Sequence, residues 1–197
     1  MKTTKTSRIK GLALAVALGA ATLAGCTTTV PAASTNASAV STQHMAIDSQ
    51  VDASLLKLYN QVPGSRELIA RSKGVLVFPG VIKGSFIVGA EYGRGALRVD
   101  SKTAGYFSTT AASLGLQAGG QSKDVFYVFT NTESLNQFLS STGWTAGVDG
   151  NVAVANLGLN GTIDTNTLTQ PVVAFVLTNV GLEAGVSVQG AKINRLP

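Results

Sequence analysis

The chain has 197 residues, of which 45% are apolar and 13% charged, with 22 Gly, one Cys and one His. That length suits one domain plus a tail, and so low a charge density excludes long charged helices and charge-rich disordered tails. The formal charge of +5 belongs to the front end: Lys2, Lys5, Arg8 and Lys10 supply four of 15 positive charges, leaving eleven against ten carboxylates, too nearly neutral a body for a nucleic-acid binder.

Residues 1–10 are cationic with no acid, and Gly11 to Ala24 are almost wholly apolar. About fourteen such residues fall short of the roughly twenty that span a bilayer and fit the apolar region of an export signal. The run ends in Leu23-Ala24-Gly25-Cys26, which resembles the bacterial lipobox. The resemblance implies a lipoprotein signal peptide over residues 1–25, cut before Cys26, and acyl chains such as palmitate attached at Cys26. Several acyl chains give the stable anchoring that a single chain cannot. Thr27 in place of Asp, by resemblance to Gram-negative lipoproteins, implies a lipid-anchored envelope protein on the periplasmic face of the outer membrane. With no second Cys, the exported domain has no internal disulfide and depends on its core.

Residues 26–46 read as the lipidated Cys and a flexible tether. Thr27 to Ala46 is rich in Thr, Ser and Ala and carries no charge, so it buries too little to offset chain entropy. As a coil of this length it spans about 25 Å. The domain is expected over 47–197, long enough for an independent core. Ile47, Val51, Leu55, Leu58 and Val62 follow helical spacing, widened by Leu56 and Tyr59 and broken by Pro63-Gly64. A second helix is expected from Ser65, as its cap, to Lys73, with Gly74 as a left-handed exit. A third starts near Asn131 or Thr132 and buries Leu135, Phe138 and Leu139.

The remainder reads as strands. Val75 to Phe78 is a short apolar run closed by Pro79-Gly80. Ser85 to Val99 suggests a hairpin turning at Gly93-Arg94. Leu114, Leu116 and Ala118 alternate with small or polar residues. Val125 to Phe129 and Val172 to Leu177 are apolar on both faces and therefore central. Leu182 to Gln189 alternates strictly, as a half-buried strand does. The fold class is α+β: a curved antiparallel Gly-rich sheet or partial barrel with about three helices.

Chemistry is sparse. His44, the one histidine, lies in the expected tether and reads as solvated, so metal and cofactor sites lack their usual ligands and none is expected. Ser54-x-x-Lys57 matches a penicillin-binding pattern without its companion motifs and reads as a solvated helix edge. Asp164-Thr165-Asn166 is a polar turn rather than a calcium loop. Glu91, inside a strand, is expected to pair with Arg94 or Arg98. No catalytic residue is assigned, and the chain is not expected to be an enzyme.

The passage from Lys73 to Leu97 (KGVLVFPGVIKGSFIVGAEYGRGAL) resembles the SYLF domain family. So do Leu114 to Gly120, Asp124 to Phe129 and Gly181 to Gly190, covering about Val51 to Ile193. The resemblance implies a lipid-binding module; eukaryotic members are associated with phosphoinositide membranes and cortical actin. In a bacterial envelope the transferable part is binding of anionic membrane phospholipid. Ile47 to Val62 carries only Lys57 against Asp48 and Asp52, unlike a basic membrane-surface helix. Lys73, Lys83, Arg94 and Arg98 are the expected headgroup contacts, gathered near the ends of the first strands beside an apolar Phe78-Pro79-Gly80-Val81-Ile82. The competing reading is a structural or interaction lipoprotein that binds an envelope protein or glycan.

Overall fold

The computed structural model of the chain describes residues 32–85, 88–114, 121–156, 163–164, 167, 169–183 and 188–197. The expected signal peptide, Cys26 and residues 27–31 of the expected tether lie outside the described residues. The helices are α1 (Ala32–Gln61), α2 (Ser65–Arg71) and α3 (Thr132–Ser140). The strands are β1 (Gly74–Ser85), β2 (Val88–Val99), β3 (Lys102–Leu114), β4 (Gln121–Phe129), β5 (Trp144–Thr145), β6 (Val152–Val154), β7 (Val172–Thr178), β8 (Gly181–Leu182) and β9 (Lys192–Arg195). They form one sheet in the order β5-β9-β3-β2-β1-β4-β7-β6, with β8 beside β7. All strand pairs are antiparallel except β6 with β7. The sheet curls into a half-barrel, and the fold is α+β, as the sequence predicts.

The curl has a local cause. Pro79-Gly80 does not end β1. It forms a bulge, and the register slips between Phe78 and Val81 against β4 and between Val77 and Ile82 against β2. Pro79 has no N–H to miss at a bulge. Gly80 takes φ +60, and its N–H donates to Asp124 Oδ1 at 2.9 Å. Across from the bulge, Gly95 lets the backbones close: a Cβ there would lie 1.8 Å from the Val77 carbonyl oxygen. Gly93 and Arg94 are therefore mid-strand rather than the expected turn. The turn lies at Asp100-Ser101, both at positive φ (49° and 63°), joining the paired Val99 and Lys102. Asp tolerates that conformation better than most residues.

Helix α1 corrects the expected flexible tether over residues 32–46, which are helical. Ala favours a helix, and the Ser41 and Thr42 hydroxyls donate back to the Ser38 carbonyl. His44 is half-buried rather than solvated, stacked on Tyr106 at 3.7 Å between ring centroids. Further on, Ile47, Val51, Leu58 and Val62 are buried, Leu55 is half-buried, and Leu56 is exposed.

Two other helix ends differ from expectation. Gly64, at φ +84, precedes α2, and Ser65 is its buried first residue, whose hydroxyl donates to the Val62 carbonyl at 2.6 Å. Helix α2 ends at Arg71 and leaves through an extended Ser72, so Gly74 is strand rather than exit. Helix α3 is capped by Asn131, whose side chain accepts from the Ser134 N–H at 2.9 Å. It buries Leu135 and Phe138 but not Leu139.

A buried cluster lies on each face of the sheet. The inner cluster holds Phe78, Leu97, Tyr127, Phe129, Phe138 and Trp144. The outer cluster sets Ile47, Val51, Leu58 and Val62 against Val75, Val77, Phe126 and Val128. Strands β4 and β7 are buried on both faces, as their unbroken apolar runs require. Of the expected strand Leu182 to Gln189 only β8 is described as strand, and residues 184–187 lie outside the described residues, as do Leu116 and Ala118. Strands β3, before Leu114, and β9 were not expected.

Candidate functional site

The four expected headgroup contacts do not gather. Lys73 is exposed and immediately precedes β1. Lys83 lies near the other end of that strand, ten residues and about 33 Å of extended chain away. Its register partner is Glu91, whose own partner across β3 is Ala111 of the inner cluster. Lys83 therefore belongs to the inner face, whereas Arg94, three residues beyond Glu91, belongs to the outer one.

Arg98 is a structural clamp. Its guanidinium lies 3.1 Å from Asp48 Oδ1 and 2.7 Å from Asp52 Oδ1, and it also donates to the Thr103 hydroxyl. Asp48 further accepts from the Thr103 hydroxyl at 2.8 Å and the Tyr106 hydroxyl at 2.7 Å. Burial first, and then the Asp48 carboxylate, raise the Tyr106 phenol above its ordinary pKa. This network fixes α1 on β2 and β3, with both terminal nitrogens of Arg98 engaged in it.

The expected apolar contact also changes. Phe78 and Val81 are core, and only Ile82 of that segment stands out, 62% exposed. The bulge that buries Val81 puts Ile82 on the outer face. Directly across on β2 is Tyr92, 45% exposed. The same cross-strand row continues through Thr110 on β3 to Lys192 on β9, both exposed. Arg94 flanks it, and its Nε donates to the Tyr92 hydroxyl at 2.8 Å. Asp124, on the same face of β4, is already held by Lys57 at 3.1 Å and by the Gly80 N–H. The result is two exposed apolar side chains with two cations, neither of which has a salt bridge among the described residues.

A cleft of about 510 Å³ opens between α1, α2 and the Asp100-Ser101 turn. Arg66 stacks over Tyr59 there, 4.2 Å from the ring centroid. Desolvation raises the Tyr59 phenol, and Arg66 pulls it partly back. Asp52 and Asp100 balance Arg66 and Arg98 in its lining, so the cleft offers an anion little net field. The outer-face row does.

The remaining sequence motifs resolve plainly. Ser54 is buried and Lys57 is engaged by Asp124, so this is not a solvated helix edge. Glu91 pairs with Lys123 at 2.9 Å rather than with either expected arginine. Lys123, 32 residues further along, meets it across β1 on the inner face. Of the Asp164 turn, residues 165 and 166 lie outside the described residues. Among the described residues no group of three His, Cys, Asp or Glu side chains is placed to hold a metal ion, and no helix is long and apolar enough to cross a membrane.

Residues 110–195 match the family model described as Ysc84, Las17-binding protein actin regulator. The match begins in β3 and ends in β9, so it takes in Lys192 but not β1 or β2. No curated protein matches the chain.

Proposed function

We propose that the chain is a membrane-anchored bacterial lipoprotein whose domain binds lipid, with a preference for anionic phospholipid, a reading supported by the match of residues 110–195 to the Ysc84 (SYLF) family model. The observation that carries this reading is the row of Ile82, Tyr92 and Lys192 with Arg94 beside it, two apolar side chains and two cations exposed together on the outer face. Tyr suits a bilayer interface, having an apolar ring and a polar tip. Of the four expected cations Arg94 keeps its role on this face and Lys192 of β9 joins it, whereas Lys73, Lys83 and Arg98 lie elsewhere. We assign no catalytic group; the reading is of binding.

Magnitudes say why an anchor matters. Each cation near an anionic surface contributes about 1 kcal/mol, and partial burial of Ile82 and Tyr92 adds about 2 kcal/mol between them. The sum, about 4 kcal/mol, corresponds to a millimolar Kd. Acyl chains on Cys26 would supply the effective concentration that so weak a contact needs. The first described helical residue is Ala32, six positions past Cys26. The helix then rises about 1.5 Å per residue, shorter and stiffer than a coil.

Among the described residues the buried core contains none before Ile47, so a chain starting at Thr27 keeps every buried side chain described. At lipid concentrations above the millimolar Kd, that chain should float in part with phosphatidylglycerol vesicles and not with phosphatidylcholine vesicles. The pair Arg94→Glu and Lys192→Glu should abolish flotation, while Lys73→Glu should leave it unchanged. Indifference of the wild-type chain to phosphatidylglycerol, with retention of one envelope protein or glycan instead, would favour an interaction lipoprotein.

A further inference from the structure

The cleft beside α1 carries a charge pattern that the outer-face row does not use. Its volume is about 510 Å³, within the range of about 300–1,000 Å³ usual for small-ligand sites. Helix α1 lines it with Leu55, Leu56 and Tyr59, α2 adds Ile69, and β1 adds Val75. Leu56 is 57% exposed, a large apolar side chain left uncovered in the lining.

Four charged residues line the same cleft. Two of them, Asp52 and Arg98, are paired with each other at 2.7 Å. The other two are not paired. Arg66 lies over the Tyr59 ring, 4.2 Å from its centroid, a contact that orients the guanidinium without neutralising it. Asp100 is exposed in the turn between β2 and β3. Neither has a salt bridge, with the other or with any described residue. One cation and one carboxylate thus stand unpaired in a cleft whose remaining lining is mostly apolar.

That pattern selects among ligands. A singly charged ligand would satisfy one group and bring a like charge toward the other. A neutral ligand would desolvate both and pair neither, which is unfavourable. A zwitterion with an apolar body satisfies both groups and covers Leu56. Arg binds a carboxylate through two parallel hydrogen bonds, among the strong ones. A volume of about 510 Å³ corresponds to about 8 Å on a side, room for about two or three extended residues at about 3.4 Å each.

We propose that this cleft binds a short apolar peptide with free termini, its carboxylate on Arg66, its ammonium on Asp100 and its side chains over Leu56 and Tyr59. A zwitterionic lipid headgroup matches less well, because its two charges are adjacent and its apolar part leaves in one direction. Helix α1 also separates the cleft from the outer-face row. Its Lys57 meets Asp124 toward the bulge, and its Asp52 meets Arg98 toward the opposite end of the sheet. The site therefore stands independently of the lipid reading.

The test titrates trileucine into the chain from Thr27 by calorimetry, with amide chemical shifts of α2 and of Asp100-Ser101 reading location. Trileucine should bind and shift those amides. N-acetyl-trileucine and trileucine amide, each lacking one terminal charge, should bind about tenfold more weakly, the usual size for a lost hydrogen bond to a charged group. Triglycine, with both charges and no side chains, should also lose at least about tenfold. Arg66→Gln should lower trileucine to the level of its amide and leave the amide unchanged. Asp100→Asn, which suits the same left-handed turn, should do the same with the acetylated peptide.

Failure of the wild type to bind trileucine would overturn the site. Equal affinity for the free, acetylated and amidated peptides would overturn the charge assignment without recourse to any variant. Triglycine bound as tightly as trileucine would overturn the apolar half of the recognition. A short-chain phosphatidylethanolamine that shifts the same amides and displaces trileucine would make the occupant a lipid and overturn the peptide.

Discussion

Removing one oxygen atom should make this protein more stable. Tyr127→Phe deletes a hydroxyl on a side chain that is 1% exposed, with no hydrogen-bond partner among the described residues. In the unfolded chain that hydroxyl is hydrated. Folding strips the water, and an unpaired buried group costs about 1–3 kcal/mol. The ring stays, and with it the edge contacts to Phe78 at 6.3 Å and Trp144 at 5.9 Å between centroids. The apolar packing is thus conserved, and the expected gain is about 1 kcal/mol. For a chain of this size that raises Tm by about 2–4 °C. Urea unfolding should show a higher midpoint with an unchanged slope. A loss of about 1 kcal/mol, the mark of a satisfied hydrogen bond removed, would refute the reasoning.

The same phenol governs alkaline behaviour. Its folded pKa is raised, as are those of Tyr59 and Tyr106. Stability is therefore fully present below the unfolded value of about 10 and is lost as pH rises above it, by up to about 1.4 kcal/mol per pH unit for the buried Tyr127 and by less for the more exposed Tyr59 and Tyr106. Tyr127→Phe should flatten that decline in urea melts between pH 9 and 12 (about the range where tyrosine titrates); an identical slope would contradict the burial of its charge-free form. Gly95→Ala should cost about 3 kcal/mol or prevent folding, since its Cβ meets backbone rather than a flexible side chain; a wild-type melting curve would show that the half-barrel is looser at the bulge. Arg98→Ala should cost about 2 kcal/mol by leaving Asp48 and Asp52 without their cation, whereas Lys73→Ala should stay within about 0.5 kcal/mol. Equal effects would deny Arg98 its clamp.

What the sequence discloses and what it hides follow from range. Unbroken apolar runs at Val125 to Phe129 and Val172 to Leu177 identify the two central strands, because only burial on both faces tolerates them. The Ile47 to Val62 stripe identifies the packed face of α1. Pro79-Gly80 misleads because a bulge and a turn share the same chemistry, and the slip of register there decides which face each later residue takes. Ile82 and Tyr92 meet only because of that slip, so no local pattern foretells the outer-face row. Glu91 finds Lys123, and Arg98 finds Asp48 and Asp52, across tens of residues. Spacing alone favours the neighbours Arg94 and Arg98 for Glu91, and it gets the pairing wrong. The helix over residues 32–46 is silent in periodicity because none of residues 37–46 is fully buried, and the His44 stack on Tyr106 comes from a contact that no helical repeat encodes.

The most direct test is native mass spectrometry of the chain extracted from bacterial membranes. We expect an N-terminal Cys26 whose mass includes acyl chains, together with a retained anionic phospholipid. A chain with a free thiol and no associated lipid would contradict both the anchor and the ligand.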